Sequence, residues 1–203
     1  MKLRLVAVCA LMLFAAAQAH AMPGYGYPHA QSQQQQEVAP DTIVREGLTQ
    51  LLKFLRTKEQ RNPMQITAFI ETVIAPYFDF DYMAQWAAGA AYRNMSGGQR
   101  QAMSQQVKEM LLGTLTKRLS SYEDQDVRFY RPRRAGRNEV KVSVGILNSG
   151  GYPAKIDFRF YHADDGWKVF DVSANGTSAL AYYRQHFSKQ MRDNKGQRRG
   201  YRG

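Results

Sequence analysis

The hydrophobic period of this chain changes near Asp124, and returns only for a closing stretch after Ser178. Before it, apolar residues recur every three or four positions, the spacing of one helix face. After it they recur every second position, the spacing of a half-buried strand. Helices gathered in the first half and strands in the second exclude an alternating βαβ pattern. They point to an α+β fold, with one face of an antiparallel sheet covered and the other wet.

The helical half divides at recognisable signals. Residues 41–61 read as a first helix capped by Asp41, with Val44, Leu48, Leu51, Leu52 and Leu55 in one stripe. Asn62-Pro63 ends it and opens a second, because proline is pre-set for the first helical position. That helix carries Ile66, Phe69, Ile70, Val73 and Ile74 and stops near Pro76. Asp79 caps a third helix with Tyr82, Met83, Trp86, Ala87 and Ala90. Ser96 and Gln99 form a capping box before a long fourth, with Met103, Val107, Met110, Leu111, Leu115, Leu119 and Tyr122 in register. The helices together span residues 41–122.

Sheet and last helix span residues 126–191. Residues 127–130 make a short strand, and residues 132–138, with three arginines, a basic turn. Val140, Val142, Val144 and Ile146 alternate with polar or small residues, as do Ile156, Phe158 and Phe160. Asp164-Asp165-Gly166 signals a hairpin into a fourth strand, with Trp167, Val169 and Asp171 on one side and Lys168, Phe170 and Val172 on the other. After a polar turn, Leu180, Tyr183, Phe187 and Met191 recur at helical spacing on a closing helix.

The ends read differently. Lys2 and Arg4, an apolar run over residues 5–17, and Ala19-His20-Ala21 have the form of a secretory signal over residues 1–21. Cys9 is the one cysteine and lies inside that run, too early for a lipid anchor, so the exported chain holds without disulfides. Residues 22–37, rich in Gly, Pro and Gln, read as a disordered leader, and residues 192–203 as a basic disordered tail. The folded unit is residues 38–191. The formal net charge is +11, and six basic residues against one acid lie from Lys189 onward. An exported chain does not meet nucleic acid, so this excess suits lipid headgroups or an acidic protein surface.

Few residues carry chemistry. His162 falls at a hairpin and His186 on the outer side of the last helix, both expected in solvent. HExxH, GxSxG and phosphate-loop patterns are absent, and two scattered histidines do not make a metal site. Asp79 and Asp81 are explained by a helix start. Asp171, if buried, needs a cationic partner such as Arg184. The chain is instead rich in large apolar side chains, among them Phe78, Phe80, Phe158, Phe160, Trp167 and Phe170. Each suits a core. Collectively, helices laid over a twisted sheet can also leave an apolar cavity between the layers.

Two runs resemble the MlaC, or toluene-tolerance, family. The stretch from Val73 to Ala84 resembles its V-x-P-x-F-D-F-x-x-M/I-A run, with Pro76, Phe78, Asp79, Phe80, Met83 and Ala84 in register and Val73 three residues before the proline, followed by Ala88-Gly89, Tyr92-Arg93, Ser96 and Gln99. Trp167-Lys168-Val169, Asp171-Val172, Gly176, Ser178, Tyr183-Arg184 and Phe187 match the second. Ala179, Tyr182 and Tyr92 depart from the pattern. The resemblance implies a nuclear-transport-factor-like fold, a curved four-stranded antiparallel sheet with a helical lobe. It implies a monomeric periplasmic carrier of phospholipid and no enzyme. Its partners would be an outer-membrane lipoprotein complex and an inner-membrane ABC transporter, and its work would maintain outer-membrane asymmetry. It implies no cofactor and no metal, with bound phospholipid as cargo. The acyl chains would be lined on the helical side by Phe69, Val73, Phe80, Met83 and Met110. On the sheet side they would meet Val142, Val144, Ile156, Phe158 and Val169. Other readings are a carrier of another lipid such as a hopanoid, an enzyme using Asp157 or Asp171 on the same scaffold, or an adaptor binding through Arg131, Arg133, Arg134 and Arg137.

The leader reading makes a first prediction. N-terminal sequencing of the protein exported by a Gram-negative host should begin at Met22; a start at His20 would place cleavage after Ala19 instead, and an intact Met1 would remove the signal reading.

Overall fold

The computed structural model describes residues 37–57, 62–147 and 152–200, with side chains through residue 192. The proposed signal and residues 22–36 of the proposed leader lie outside the described residues. Among the described residues, five α-helices precede, flank and follow a six-stranded antiparallel sheet of order β1 (Asp126–Phe129), β3 (Glu139–Leu147), β4 (Ala154–Ala163), β5 (Gly166–Ala174), β6 (Thr177–Ser178), with β2 (Arg133–Arg134) paired to β3.

Helix α1, Pro40–Arg56, starts one residue earlier than expected. Ala39 occupies the cap position and Pro40 the first turn, so Asp41 supports the helix dipole rather than capping it. Val44, Leu51 and Leu55 of its stripe are buried. Glu37, counted above with the leader, lies 2.8 Å from the His162 ring. Helix α2, Pro63–Phe69, begins as expected: Asn62 accepts from Gln65 N at 2.8 Å. The chain then widens into a π-turn at Ile70–Ile74 and tightens into a 3₁₀ turn at Ala75–Tyr77. Pro76 explains the break, since it lacks an N–H and its ring cannot follow a regular helix.

Helix α3, Phe80–Ala88, is capped by Asp79, which accepts from Tyr82 N at 2.8 Å. It ends at Gly89, whose φ of +56° a side chain would resist. The capping box is present at the start of α4, Gly97–Leu119. Its Met103, Val107 and Leu111 are buried, together with Thr116, whose hydroxyl meets Thr67 at 2.9 Å.

Strands β1 (Asp126–Phe129), β3 (Glu139–Leu147), β4 (Ala154–Ala163) and β5 (Gly166–Ala174) form the sheet body. Two short strands were not foreseen. β2, Arg133–Arg134, pairs with β3 inside the expected basic turn, and β6, Thr177–Ser178, pairs with β5. Cross-strand partners share a face. Val142 opposite Phe158, Val140 opposite Phe160 and Val144 opposite Ile156 therefore build one apolar face. Lys141 opposite Arg159 and Ser143 opposite Asp157 build the polar one.

The simple alternation fails on β5. Arg159 pairs with Asp171 but Phe160 pairs with Val169, so Phe170 is an extra residue in a β-bulge. Val169 joins Val142, Val144 and Phe160 on the apolar face, while Phe170 packs with the helices on the other side. Val169, Phe170 and Asp171 are 2%, 1% and 2% exposed. Asp171 thus does not share a face with Val169.

Helix α5, Ala179–Gly200, buries Leu180, Tyr183 and Phe187 against α3 and α4. Each such side chain contributes about 1.5–3 kcal/mol through burial. The helix continues through residues 192–200, which were expected as part of the disordered tail; no proline stops it. Arg184 is not the partner of Asp171. It lies over the Trp86 ring at 5.4 Å. Asp171 instead accepts from Ser178 Oγ at 2.8 and 2.9 Å and from Leu180 N at 3.1 Å, with Arg159 Nη1 at 3.9 Å.

Asp171→Ala should therefore cost about 2–3 kcal/mol, since it strips a buried backbone N–H and a hydroxyl of their acceptor. Urea denaturation measures this; a loss below about 0.5 kcal/mol would show that α5 docks through its apolar stripe alone.

Candidate functional site

Among the described residues the interior has three apolar clusters, and eight of the ten residues expected to line a cavity are shared among them, Val73 and Ile156 lying outside. Met83 is buried with Val107, Phe170 and Tyr183 between α3, α4 and α5, and Met110 packs at its edge. Val142, Val144 and Val169 are buried under α1, where Ile43, Val44 and Leu48 lie over the apolar sheet face and Phe158 packs at the margin. Phe69 belongs to a third cluster around Leu55, Ile66 and Ile70, stacked on Phe54 at 4.4 Å. Val73 lines a shallow 370 Å³ hollow beside Phe54 and Phe69. Ile156 is half-buried on the apolar sheet face. Phe80 packs against both the first and third clusters. The structure brings the sheet residues together and keeps Phe69 and Val73 apart from them.

Where the clusters meet, the chain is 78–80. Phe78 packs against the first and second clusters, and its ring stacks on Phe80 at 5.8 Å. A parallel bridge joins Phe78 to Val169, and Asp79 N donates to Val169 O at 3.0 Å. The two family-like runs thus touch directly. They touch again where a side chain at Gly89 would come within 3.8 Å of Arg184 Nη2.

The polar groups hold elements together. Asp79 caps α3 with one oxygen and accepts from Tyr161 OH with the other. Burial and then that carboxylate push the Tyr161 hydroxyl pKa well up, so it stays a donor. The Tyr161 ring stacks on Tyr82 at 4.5 Å. Burial pushes Tyr183 up to about 12. On the polar sheet face, Arg159 bonds Glu139 at 2.9 Å and covers the Phe170 ring at 4.6 Å. Burial works against the Asp157 carboxylate, yet Ser143 Oγ donating at 2.5 Å and the Lys155 and Lys141 ammonium groups outweigh it and hold its pKa below the ordinary 3.8. The Tyr161 and Ser143 contacts join residues 82 and 14 positions apart, and no local pattern announced them.

Among the described residues, no group of three His, Cys, Asp or Glu could hold a metal ion, and no helix is long and apolar enough to cross a membrane. His162 and His186 are exposed. Arg131, Arg133, Arg134 and Arg137 are exposed as well.

A groove of about 850 Å³ runs between the starts of α3 and α4 and the β4–β5 hairpin. Phe78, Phe80, Asp81, Gly98, Gln101, Lys108, Asp165 and Lys168 contribute to its walls. Lys168 Nζ lies 3.0 Å from Asp165, whose carboxyl it holds below the usual range, and Lys108 Nζ lies 3.5 Å from Glu71.

Sheet, helices and interior define an α+β protein with an open, curved antiparallel sheet; α1 lies over its apolar face and α3, α4 and α5 gather around Phe170 on the other side, so the face expected to be wet is partly covered. The sequence matches the family described as MlaC protein over residues 45–198, and the chain belongs to that family. Its fold is similar to that of a phospholipid-binding protein from Ralstonia solanacearum, solved in complex with a phospholipid. The TM-score is 0.69 at 23% identity, over 76% of this chain and 88% of that one.

The Asp157 network makes a pH prediction. A carboxylate whose pKa is depressed on folding stabilises the fold above its unfolded pKa, and that contribution is lost as pH falls through the folded value. Ser143→Ala should raise the Asp157 pKa toward 3.8 in an NMR titration and shrink the loss of stability on the acid side; an unmoved titration would assign the shift to the lysines alone.

Proposed function

We propose that this protein is a lipid carrier that shields phospholipid acyl chains between α1 and the apolar face of its sheet. The observation that carries the reading is the mismatch between that face and its cover. Val142, Val144, Phe160 and Val169 are buried beneath α1 and Phe78, while Val127, Phe129, Val140, Phe158 and Val172 around them stay half-exposed. A face wider than its lid can accept chains along its margin. Membership of the MlaC family and the phospholipid held by the Ralstonia solanacearum protein support the same reading.

The physical need is clear. Each methylene exposed to water costs about 0.8 kcal/mol, so a two-chain lipid with roughly 30 of them meets a barrier on the order of 20 kcal/mol to free diffusion. A carrier needs no acid, base or nucleophile. It needs an interior close in affinity to the membrane, so that lipid is both taken and given up. The family resemblance and the signal-like leader support a carrier that would work in the periplasm, between an outer-membrane lipoprotein complex and an inner-membrane ABC transporter, and would preserve outer-membrane asymmetry.

Protein purified from a Gram-negative host should release phospholipid on solvent extraction, detected by mass spectrometry, and should load labelled lipid from vesicles. Phe158→Arg at the half-exposed margin should cut loading by about tenfold with an unchanged circular dichroism spectrum, because a guanidinium replaces an apolar wall. Val142→Arg, deeper in the face, should do the same if it folds. An empty wild-type protein that takes up nothing overturns the carrier; full loading by Phe158→Arg places the chains elsewhere.

A further inference from the structure

We infer that the groove between α3, α4 and the β4–β5 hairpin is a headgroup site for zwitterionic, phosphate-bearing lipid, with the phosphate at Lys108 and Lys168 and the ammonium at Asp81 and Asp165. The inference rests on the carrier reading and names which cargo the same interior takes.

The groove's place in the fold comes first. The groove is lined by Phe78 and Phe80, the residues that pack against the apolar clusters on either side. A molecule lying there has its polar end in solvent and its apolar end over the seam where the clusters meet. Phe78 is also tied to Val169 on the sheet, so the seam leads to the apolar face proposed for the chains. At about 850 Å³, the space falls in the range of small-ligand clefts and exceeds what a phosphate needs.

Its charges come second. Lys168 is held over the groove by Asp165 at 3.0 Å and by Pro76 O at 3.5 Å, and Lys108, on α4, lies 3.5 Å from Glu71. The first turns of α3 and α4 contribute the backbone at Phe80, Asp81 and Gly98, and helix starts favour anions. Gly98 presents no side chain, and nothing lies within 4 Å of where one would begin. Opposing these are the carboxylates of Asp81 and Asp165; Asp79 is already engaged by Tyr82 N and Tyr161 OH. Two ammonium groups alone would favour any anionic lipid. Two ammonium groups beside two exposed carboxylates complement a headgroup that carries both signs and repel one with negative charge only.

The test uses full-length exported protein and vesicles of equimolar phosphatidylethanolamine and phosphatidylglycerol, with bound lipid quantified by mass spectrometry after the protein is re-isolated. Wild-type protein should take up the zwitterionic lipid about threefold over the anionic one, the scale of one or two exposed ion pairs. Asp81→Asn with Asp165→Asn should shift the ratio toward phosphatidylglycerol. Lys108→Ala with Lys168→Ala should lower uptake of both lipids. Arg137→Ala, which does not line the groove, should keep the wild-type ratio. A ratio that the carboxylate variant leaves unmoved, or that Arg137→Ala shifts equally, overturns the headgroup site while lipid loading stands. Wild-type protein that loads neither lipid overturns the carrier reading, and this inference with it.

Discussion

A single buried carboxylate couples the end of the sheet to the start of the closing helix. Asp171 is almost wholly withdrawn from water, and its partners are the Ser178 hydroxyl, the Leu180 amide and the Arg159 guanidinium. A charge in such a place is tolerated only when donors surround it. The β-bulge makes this possible. By inserting Phe170, the strand turns Asp171 toward the polar sheet face while Val169 stays on the apolar one. Without the extra residue, β5 could not serve the α5 junction and the α1 interior together.

Asp79 repeats the device beside Val169 of the same strand. It caps α3 and holds Tyr161 on β4, so the third helix is fastened to the sheet at its first turn. Between them, Asp79 and Asp171 fix α3 and α5 against one another and against the sheet. Both carboxylates serve as attachments between helix and sheet. α1 is different. It meets the sheet through Ile43, Val44 and Leu48, and Gly47 on the same helix brings its backbone close enough that a side chain there would lie 3.6 Å from Ile74 Cδ1. Its other ties to the sheet lie at the surface, the Arg45 guanidinium 4.4 Å from the Phe129 ring and Glu37 beside His162, so this layer can part from the sheet at lower cost than α5, whose first turn hangs on the buried Asp171. That asymmetry suits a protein whose interior must admit a guest.

The sequence by itself determined the element order. The period change near Asp124, the Asn62, Asp79 and Ser96 caps, and the α5 stripe of Leu180, Tyr183 and Phe187 all rest on neighbours within four residues, and these are present in the structure. Family membership was also legible, because Phe78–Phe80 and Trp167–Phe187 are local runs. Tertiary structure alone decided how those runs meet. The bulge at Phe170 reflects what β4 and the helices demand of β5, and no period within β5 reveals it. The Tyr161–Asp79 and Ser143–Asp157 bonds, the Arg184–Trp86 stacking and the division of the apolar residues into three clusters all depend on separations set by chain folding. A pattern of apolar residues says which side chains leave water; only the packed layers say which of them face one another, and which are left to face something else.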